Sequence, residues 1–450
     1  MVANETKDDD VVFNKVKQLL SDGDNIFITG GGGVGKSYLL NKLKNFYGEL
    51  LVLTSTTGIS AINIGGQTLH SWVGIGLGEK PVPDVIRKIN RKSGIKAQIM
   101  NCKLLAIDEI SMLDDYTMGY VDEVLQTIRH STKPFGGIQL ILVGDFFQLP
   151  PVMIGNRANS RSFCFKCKTW ANLNLVTVLL KKVKRQSDKE FINALNNVRI
   201  NKTSFEDLKV FYKRSYPQSF VPDKNILQIF GTNYDADAYN ALCFKELDAK
   251  SYTYLANDVL YPNDEEDSEP INVTNLTVKE LSYIDKKCFD IFNKDCKAPK
   301  YLDLKVGCRV MLLKNVDVSC GLVNGLCGTV KFLSDRSILV NFDNGKLVKV
   351  EMEEFSYHQD GKLKIKRIQY PLRLAYGITI HKSQGMTFDK LVVNFNRIFA
   401  YGQGYVALSR TRNLDGLFIK GFNPAKIKAN FSVLEFYADI EQSDRCIIFD

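Results

Sequence analysis

The segment GGGGVGKS, from Gly30 to Ser37, constrains this chain more than any other because of where it falls. It follows the apolar run NIFIT, Asn25 to Thr29, and opens a stretch whose apolar residues continue at Leu39 and Leu40. Strand, glycine-rich turn and helix in that order make a loop whose backbone amides can wrap phosphate groups. Gly30, Gly31, Gly32, Gly33, Val34 and Gly35 form the wrap, with Tyr38 just beyond it. Lys36 is placed to reach the β and γ phosphates of a nucleotide, and Ser37 to ligand Mg²⁺.

Around this loop the first 150 or so residues alternate short apolar runs (LLVLTS, KLLAIDE, IQLILVGD) with longer amphipathic stretches. That alternation predicts an α/β fold, a parallel sheet covered by helices. Runs that are apolar throughout fit strands buried on both faces, and the carboxyl edge of such a sheet is where ligands bind. A second region of the same kind follows Trp170, with ILQIFGTN, PLRLAYGITIH and KLVVNF. It is interrupted by an acidic tract from Asp264 to Glu269, read as a solvated loop, and by short alternating segments (ILVNF, KLVKVEM, KLKIKRI) around DNG and QDG turns. These predict a small antiparallel β unit.

A chain of 450 residues, 45% hydrophobic, has enough apolar mass for two or three cores. No apolar run reaches membrane-spanning length and the acidic start lacks a targeting pattern, so the expectation is a soluble intracellular protein with no membrane partner. Ten cysteines at irregular spacing are read as reduced structural thiols. The net charge of +9 suits a polyanion, although a solvated basic surface would produce it too.

Three further segments carry chemistry. In LLAIDEIS four apolar residues deliver Asp108 and Glu109 to the end of a buried strand, where carboxylates are costly unless they serve a cation. Asp108 is expected to hold Mg²⁺ through water and Glu109 to activate the attacking water. LILVGDFFQLPPV repeats the arrangement and places Gln148 to orient water or sense the γ-phosphate. Arg185, in KKVKRQSD, and Arg410, in GYVALSRTR, are the candidates for balancing transition-state charge across an interdomain cleft.

Taken together, LTSTTGISA (53–61), GGQTLHSW (65–72), IDEISML (107–113), PFGGIQLILVGDFFQLPPV (134–152), GCRVMLLKN (307–315), GLVNGLCGTV (321–330), LAYGITIHKSQGMTFD (374–389) and GQGYVALSRTR (402–412) resemble the PIF-type DNA helicases of the RecD-like branch of superfamily 1B. The resemblance runs almost end to end. It implies ATP and Mg²⁺ as cofactors and Arg185 and Arg410 as arginine fingers. It implies two RecA-like motor domains, 1–172 and 173–258 with 366–450, and an SH3-like insertion over 259–365. It also implies 5′ to 3′ translocation on single-stranded DNA, partners that include duplex junctions, and a chain that is monomeric when free. In one position the chain departs from the family: Phe13 stands where a glutamine reads adenine, so that either selectivity among bases is weak, or Phe13 packs beside Val16 in the first helix and other groups read adenine.

The nucleic-acid track is expected at Thr56, Thr57, Ser60, Thr68 and His70 in the first motor domain and at Thr379, His381, Lys382 and Ser383 in the second. Hydroxyl and amide contacts to phosphate are blind to sequence, as a translocating enzyme requires. Trp72 could stack on a base or fill the core. Arg87, Lys88, Arg91, Lys92 and Lys96 fall where the family carries a wedge-bearing insertion, about 73–97, and could equally form a solvated helix face. Lys362, Lys364 and Lys366 should share one strand face, opposite Leu363 and Ile365, either to meet DNA or to protect a sheet edge. Two rival functions fit much of this pattern. One is an ATPase that acts on RNA or remodels protein–DNA complexes, and the other is an inactive DNA-binding scaffold, which the complete set of catalytic residues argues against.

Overall fold

The computed structural model describes all residues except 1–6, 77, 79, 92, 152–161, 218–222, 263–270, 273–291, 294–295, 297, 318–319 and 360–362. The tract at 264–269 and Lys362 therefore lie outside the described residues, as do Lys92 and the side chain of Lys364. The chain divides into two compact units, one made of 1–221, 229–232 and 379–450, the other of 222–228 and 233–378.

The first unit is built on a seven-stranded sheet. Its strands run in the order Cys446–Phe449, Val176–Leu180, Ile26–Gly30, Gln139–Gly144, Leu104–Asp108, Leu51–Ser55 and Gln67–Thr68, all in parallel. Strands buried on both faces need apolar residues at every position, because successive side chains point to opposite sides. Ile26 and Ile28 accordingly enter one core with Leu39, Leu40 and Leu43 of the helix Lys36–Tyr47. Phe27 enters the other with Val121, Leu125 and Ile128 of the helix Asp115–Arg129. Trp72, 1% exposed, belongs to that second core, which settles it as a packing residue.

Two strands of this sheet correct the expected domain limits. Val176–Leu180, which the sequence places in the second motor domain, pairs in parallel with the strand that precedes the glycine-rich loop. Cys446–Phe449 returns from the far end of the sequence to pair outside it. The helix Phe431–Gln442 comes back with it, and its Val433 and Tyr437 pack in the second core. A further sheet contains the parallel strands Leu391–Asn394, Leu417–Lys420 and Ser215–Tyr216. The basic stretch near 87–96 forms two helices, Val82–Arg91 and Ser93–Asn101, with Val85 and Ile89 buried and Arg87 paired to Asp84.

The second unit is antiparallel. Its largest sheet orders Leu347–Val350, Ser337–Phe342, Cys327–Ser334, Arg309–Leu312 and Leu372–Leu374. The DNG turn appears as expected: Phe342 N–H donates to Lys346 O at 2.8 Å across Gly345, whose φ is +83°. The expected limits at 259 and 365 fall inside paired strands, Asn257–Pro262 and Leu363–Gln369. On the latter strand Ile365 is buried while Lys366 pairs with Glu354 at 3.0 Å. All nine described cysteines are free. Among the described residues no helix is long and apolar enough to cross a membrane.

Candidate nucleotide site

The glycine-rich loop owes its shape to positions that only glycine can fill. Gly30 has φ +142°, and a Cβ there would lie 2.1 Å from Leu180 O; at Gly33, φ +85°, it would lie 2.5 Å from Arg185 Cβ. The helix Lys36–Tyr47 then starts at Gly35 in the left-handed region, with no side chain capping it. Its first amides are left for a ligand with negative charge, which the helix dipole also favours. Lys36 Nζ donates to Gly30 O and Gly31 O at 2.7 and 2.9 Å, and burial lowers its pKa despite Asp145 and Glu109 nearby. Ser37 and Tyr38 are exposed at the start of the helix.

Asp108 closes a strand buried at every position, and its carboxylate accepts the Glu109 N–H at 2.9 Å. Burial and then the charge of Glu109 push Asp108 up to about 7, and burial raises Glu109 as well. Two acids crowded in this way are what a divalent cation would relieve. Asp108 and Ser37 are the residues that would hold magnesium here, with Glu109 beside them as a proton acceptor. Glu109 sits at φ +53°, a conformation costing roughly 1 kcal/mol for a residue with a Cβ. Gln148 is buried in the turn after the next strand, its N–H donating to Asp145 O at 2.9 Å.

Both expected arginines stand at the loop. Arg185 is tied to it through its own peptide, which donates to Gly33 O at 3.2 Å, while its guanidinium donates to Ser409 O at 3.0 Å. Arg410, 1% exposed, donates to Val406 O and to Ser409 Oγ, both at 2.8 Å. None of these partners is an acid. Burial, followed by repulsion from Arg185, lowers Arg410 to about 9, and burial lowers Arg185 as well. Arg410 remains a cation at neutral pH, and an anion bound beside it and Arg185 would recover the missing compensation.

Five neighbours of these residues were missed in the sequence. Tyr405 accepts the Gly32 N–H at 2.6 Å, so a phosphate that uses this amide must displace the hydroxyl. Gln186 donates to Ser409 O and Thr411 O at 3.3 and 2.8 Å. Gln384 donates to Glu109 Oε2 at 2.9 Å. Arg199 forms a two-pronged pair with Asp145, at 3.0 and 2.8 Å, and lies over the rings of Phe147 and Tyr437. Of the five, Asp145 carries a readable signal, because it directly follows a buried strand, much as Asp108 closes one.

The track residues are placed as follows. Thr57 Oγ1 accepts the Ser60 N–H at 3.2 Å, and Ser60 itself is buried. Thr56 Oγ1 donates to Glu109 O at 2.8 Å. Thr68 Oγ1 caps the helix Leu69–Val73, on which His70 is half-buried. Thr379 caps Ile380–Ser383, and Ser383 Oγ donates to Ile380 O at 2.8 Å; both side chains are buried. His381 and Lys382 are half-buried, and burial lowers the pKa of His381.

Residues 4–208 match the family model of PIF1-like helicases, and residues 291–333 match that of the DNA helicase Pif1 2B domain. The ATP-dependent DNA helicase PIF1 of Xenopus laevis is 35% identical over 432 residues, 93% of this chain and 62% of that protein. The chain thus spans less than two thirds of this relative's length. The crystal structure of Pif1 helicase from Candida albicans is 33% identical with a TM-score of 0.80, over 98% of this chain and 100% of that one. A Bacteroides Pif1 in complex with ADP-AlF3 and single-stranded DNA is 29% identical with a TM-score of 0.67, over 96% of this chain and 97% of that one. The α/β class read from the sequence, two RecA-like domains with added β sheet, is the fold these structures share. From its motifs, its fold and these relatives, this chain belongs to the PIF1-like helicase family.

Proposed function

We propose that the chain is an ATP-dependent DNA helicase that moves 5′ to 3′ on single-stranded DNA and unwinds duplex. The observation that carries this reading is a pair of arginines, the half-buried Arg185 and the buried Arg410, whose hydrogen-bond partners among the described residues include no acid, at a glycine-rich loop whose helix is left uncapped. A fixed cationic environment of this kind stabilises the charge that spreads over a transferring phosphoryl group. Lys36 holds the phosphates, Glu109 takes the proton of the attacking water, and Gln148 senses the γ-phosphate. Magnesium, when bound, supplies charge neutralisation on the phosphates, and Ser37 and Asp108 are the residues that would hold it.

The two motor domains are proposed to alternate their grip on the strand as ATP is bound and hydrolysed. Each base-pair step then works against about 1.4 kcal/mol of stacking. Support for a DNA partner comes from the Bacteroides relative crystallised with single-stranded DNA. The grip is assigned to Thr56, Thr57, Thr68, His70, His381 and Lys382. The buried Ser60, Thr379 and Ser383 shape the turns that present neighbouring amides.

The test is strand displacement on duplexes with 5′ or 3′ tails. Unwinding with ATP on the 5′-tailed substrate is expected, and Lys36→Ala should abolish it while retaining single-strand binding. Unwinding from 3′ tails alone, or stimulation of ATPase by RNA alone, would overturn the assignment.

A further inference from the structure

We infer that Gln384 links the nucleic-acid-gripping turn to the catalytic carboxylate, holding Glu109 in place and offering the attacking water its second acceptor. The inference rests on the helicase reading above. Gln384 directly follows the capped turn Thr379–Ser383, and its own N–H donates to His381 O at 3.4 Å. Its backbone therefore moves with that turn. Its side chain is 4% exposed and donates from Nε2 to Glu109 Oε2 at 2.9 Å, while the buried Oε1 has no hydrogen-bond partner among the described residues. A buried acceptor that makes no hydrogen bond is unfavourable, and such groups in native structures mark a strained or catalytic role, or a place for water.

Water attacking a phosphate has two hydrogens to place. Its oxygen forms the bond to the γ-phosphorus, the bond to the β–γ bridging oxygen breaks, and that electron pair leaves with ADP. One proton goes to Glu109. The other hydrogen needs an acceptor, and the free end of the Gln384 amide, fixed at its other end on that same carboxylate, supplies one. Glu109 is also held from the first motor domain's track, since Thr56 Oγ1 donates to its carbonyl at 2.8 Å. Both segments proposed to grip the strand thus place one hydrogen bond each on the residue proposed to take the proton. A strand that orders these segments orders the base.

Gln384→Met keeps the volume and removes both hydrogen bonds, and Thr56→Val removes the bond on the carbonyl side. Steady-state ATP turnover is measured with and without oligo(dT), with oligo(dT) affinity and melting temperature followed in parallel. For Gln384→Met the stimulated kcat should fall by about 100-fold, the low end of what positioned proton transfer contributes. Unstimulated turnover falls by less, so the ratio of the two drops at least about tenfold, with KM for ATP and DNA affinity changing by less than about twofold. Thr56→Val should lower the same ratio in a milder way. An equal loss with and without DNA, or a rise confined to KM, overturns the inference, as does an intact ratio. A wild type that hydrolyses ATP with no response to oligo(dT) removes the helicase reading itself, and is thereby distinguished from failure of the inference alone.

Discussion

At the scale of single residues, the candidate nucleotide site brings together two arginines whose hydrogen-bond partners among the described residues are carbonyls and a hydroxyl, with no carboxylate. Arg410 and Arg185 should each be needed for turnover and much less for nucleotide binding, because the charge they meet grows during phosphoryl transfer. Arg410→Ala and Arg185→Ala are expected to lower kcat by roughly 10³-fold or more with ATP affinity nearly kept. A loss seen in affinity alone would make that arginine a ground-state contact. Phe13 behaves differently from what its family position suggests. Its ring meets Phe46 at 5.8 Å and 79°, with the Lys42 ammonium 5.1 Å from its centroid. The pocket beside Gly35 and Tyr38 is lined instead by Val12, Lys182, Lys184 and Phe449, and offers no side-chain amide. A base seated in this pocket would meet no side-chain amide among the described residues that could pair with both its donor and its acceptor. ATP, GTP and CTP should be hydrolysed with kcat/KM within about tenfold, since every base can stack or pack. Phe13→Gln should leave that order unchanged, because on the helix Lys7–Ser21 the new amide would face Phe46 and Lys42 of the helix Lys36–Tyr47. A steep ATP preference in the wild type would contradict this.

At the scale of elements, the buried strands up to Gly144 were legible because burial on both faces leaves a continuous apolar run. Val176–Leu180 has the same signature, and what the sequence could not show was its partner, since pairing with the strand Ile26–Gly30 is set by tertiary packing. The return of the helix Phe431–Gln442 was hidden for the same reason. Its Tyr437 hydroxyl meets Thr29 at 2.6 Å, Phe146 N–H at 3.2 Å and Asp145 at 3.4 Å. Asp145 thereby becomes a junction between the first sheet, that helix and the helix Lys189–Arg199. Burial alone would raise its pKa, but the charge and hydrogen bonds of Arg199 outweigh burial and hold it below the usual carboxylate range. Arg199→Met leaves a buried carboxylate uncompensated, which costs roughly 3–5 kcal/mol. Adding Asp145→Leu should recover much of that loss. A depressed carboxylate stabilises the fold above its unfolded pKa and ceases to do so as pH falls through its folded one. The gap between wild type and Arg199→Met in denaturant midpoint should thus close below about pH 4. A gap that persists in acid, or a double variant no better than the single, would show that the pair is not what holds the junction.

For the whole molecule, period-two patterning and a turn sequence sufficed to announce the antiparallel unit, and Ser337–Phe342, Leu347–Val350 and Leu363–Gln369 stand where KLVKVEM and its neighbours placed them. Its exact limits were not legible, because the strands that close it, such as Asn257–Pro262, have no turn signal between them and the preceding region. The net charge of +9 was the weakest clue to function, and the structure shows why. Two of the basic residues that could have met DNA pair with acids instead: Lys366 with Glu354 and Arg87 with Asp84. His381, with its pKa lowered by burial, is neutral near pH 7 and can offer a hydrogen bond but no charge. Binding to single strands should then depend on few cations, with the remainder coming from hydroxyls and backbone amides that cannot tell one base from another. Log affinity for oligonucleotides should fall linearly with log salt at about 0.7 per phosphate neutralised, giving a shallow slope of about 2 to 4. Anisotropy titrations with oligo(dT) and mixed-sequence strands at several salt concentrations would measure it, and the two kinds of strand should agree within about threefold. A much steeper slope would mean that a basic surface, the alternative open from composition, carries the strand instead of the two hydroxyl-bearing turns. Strong selection for one sequence would contradict a backbone-tracking motor altogether.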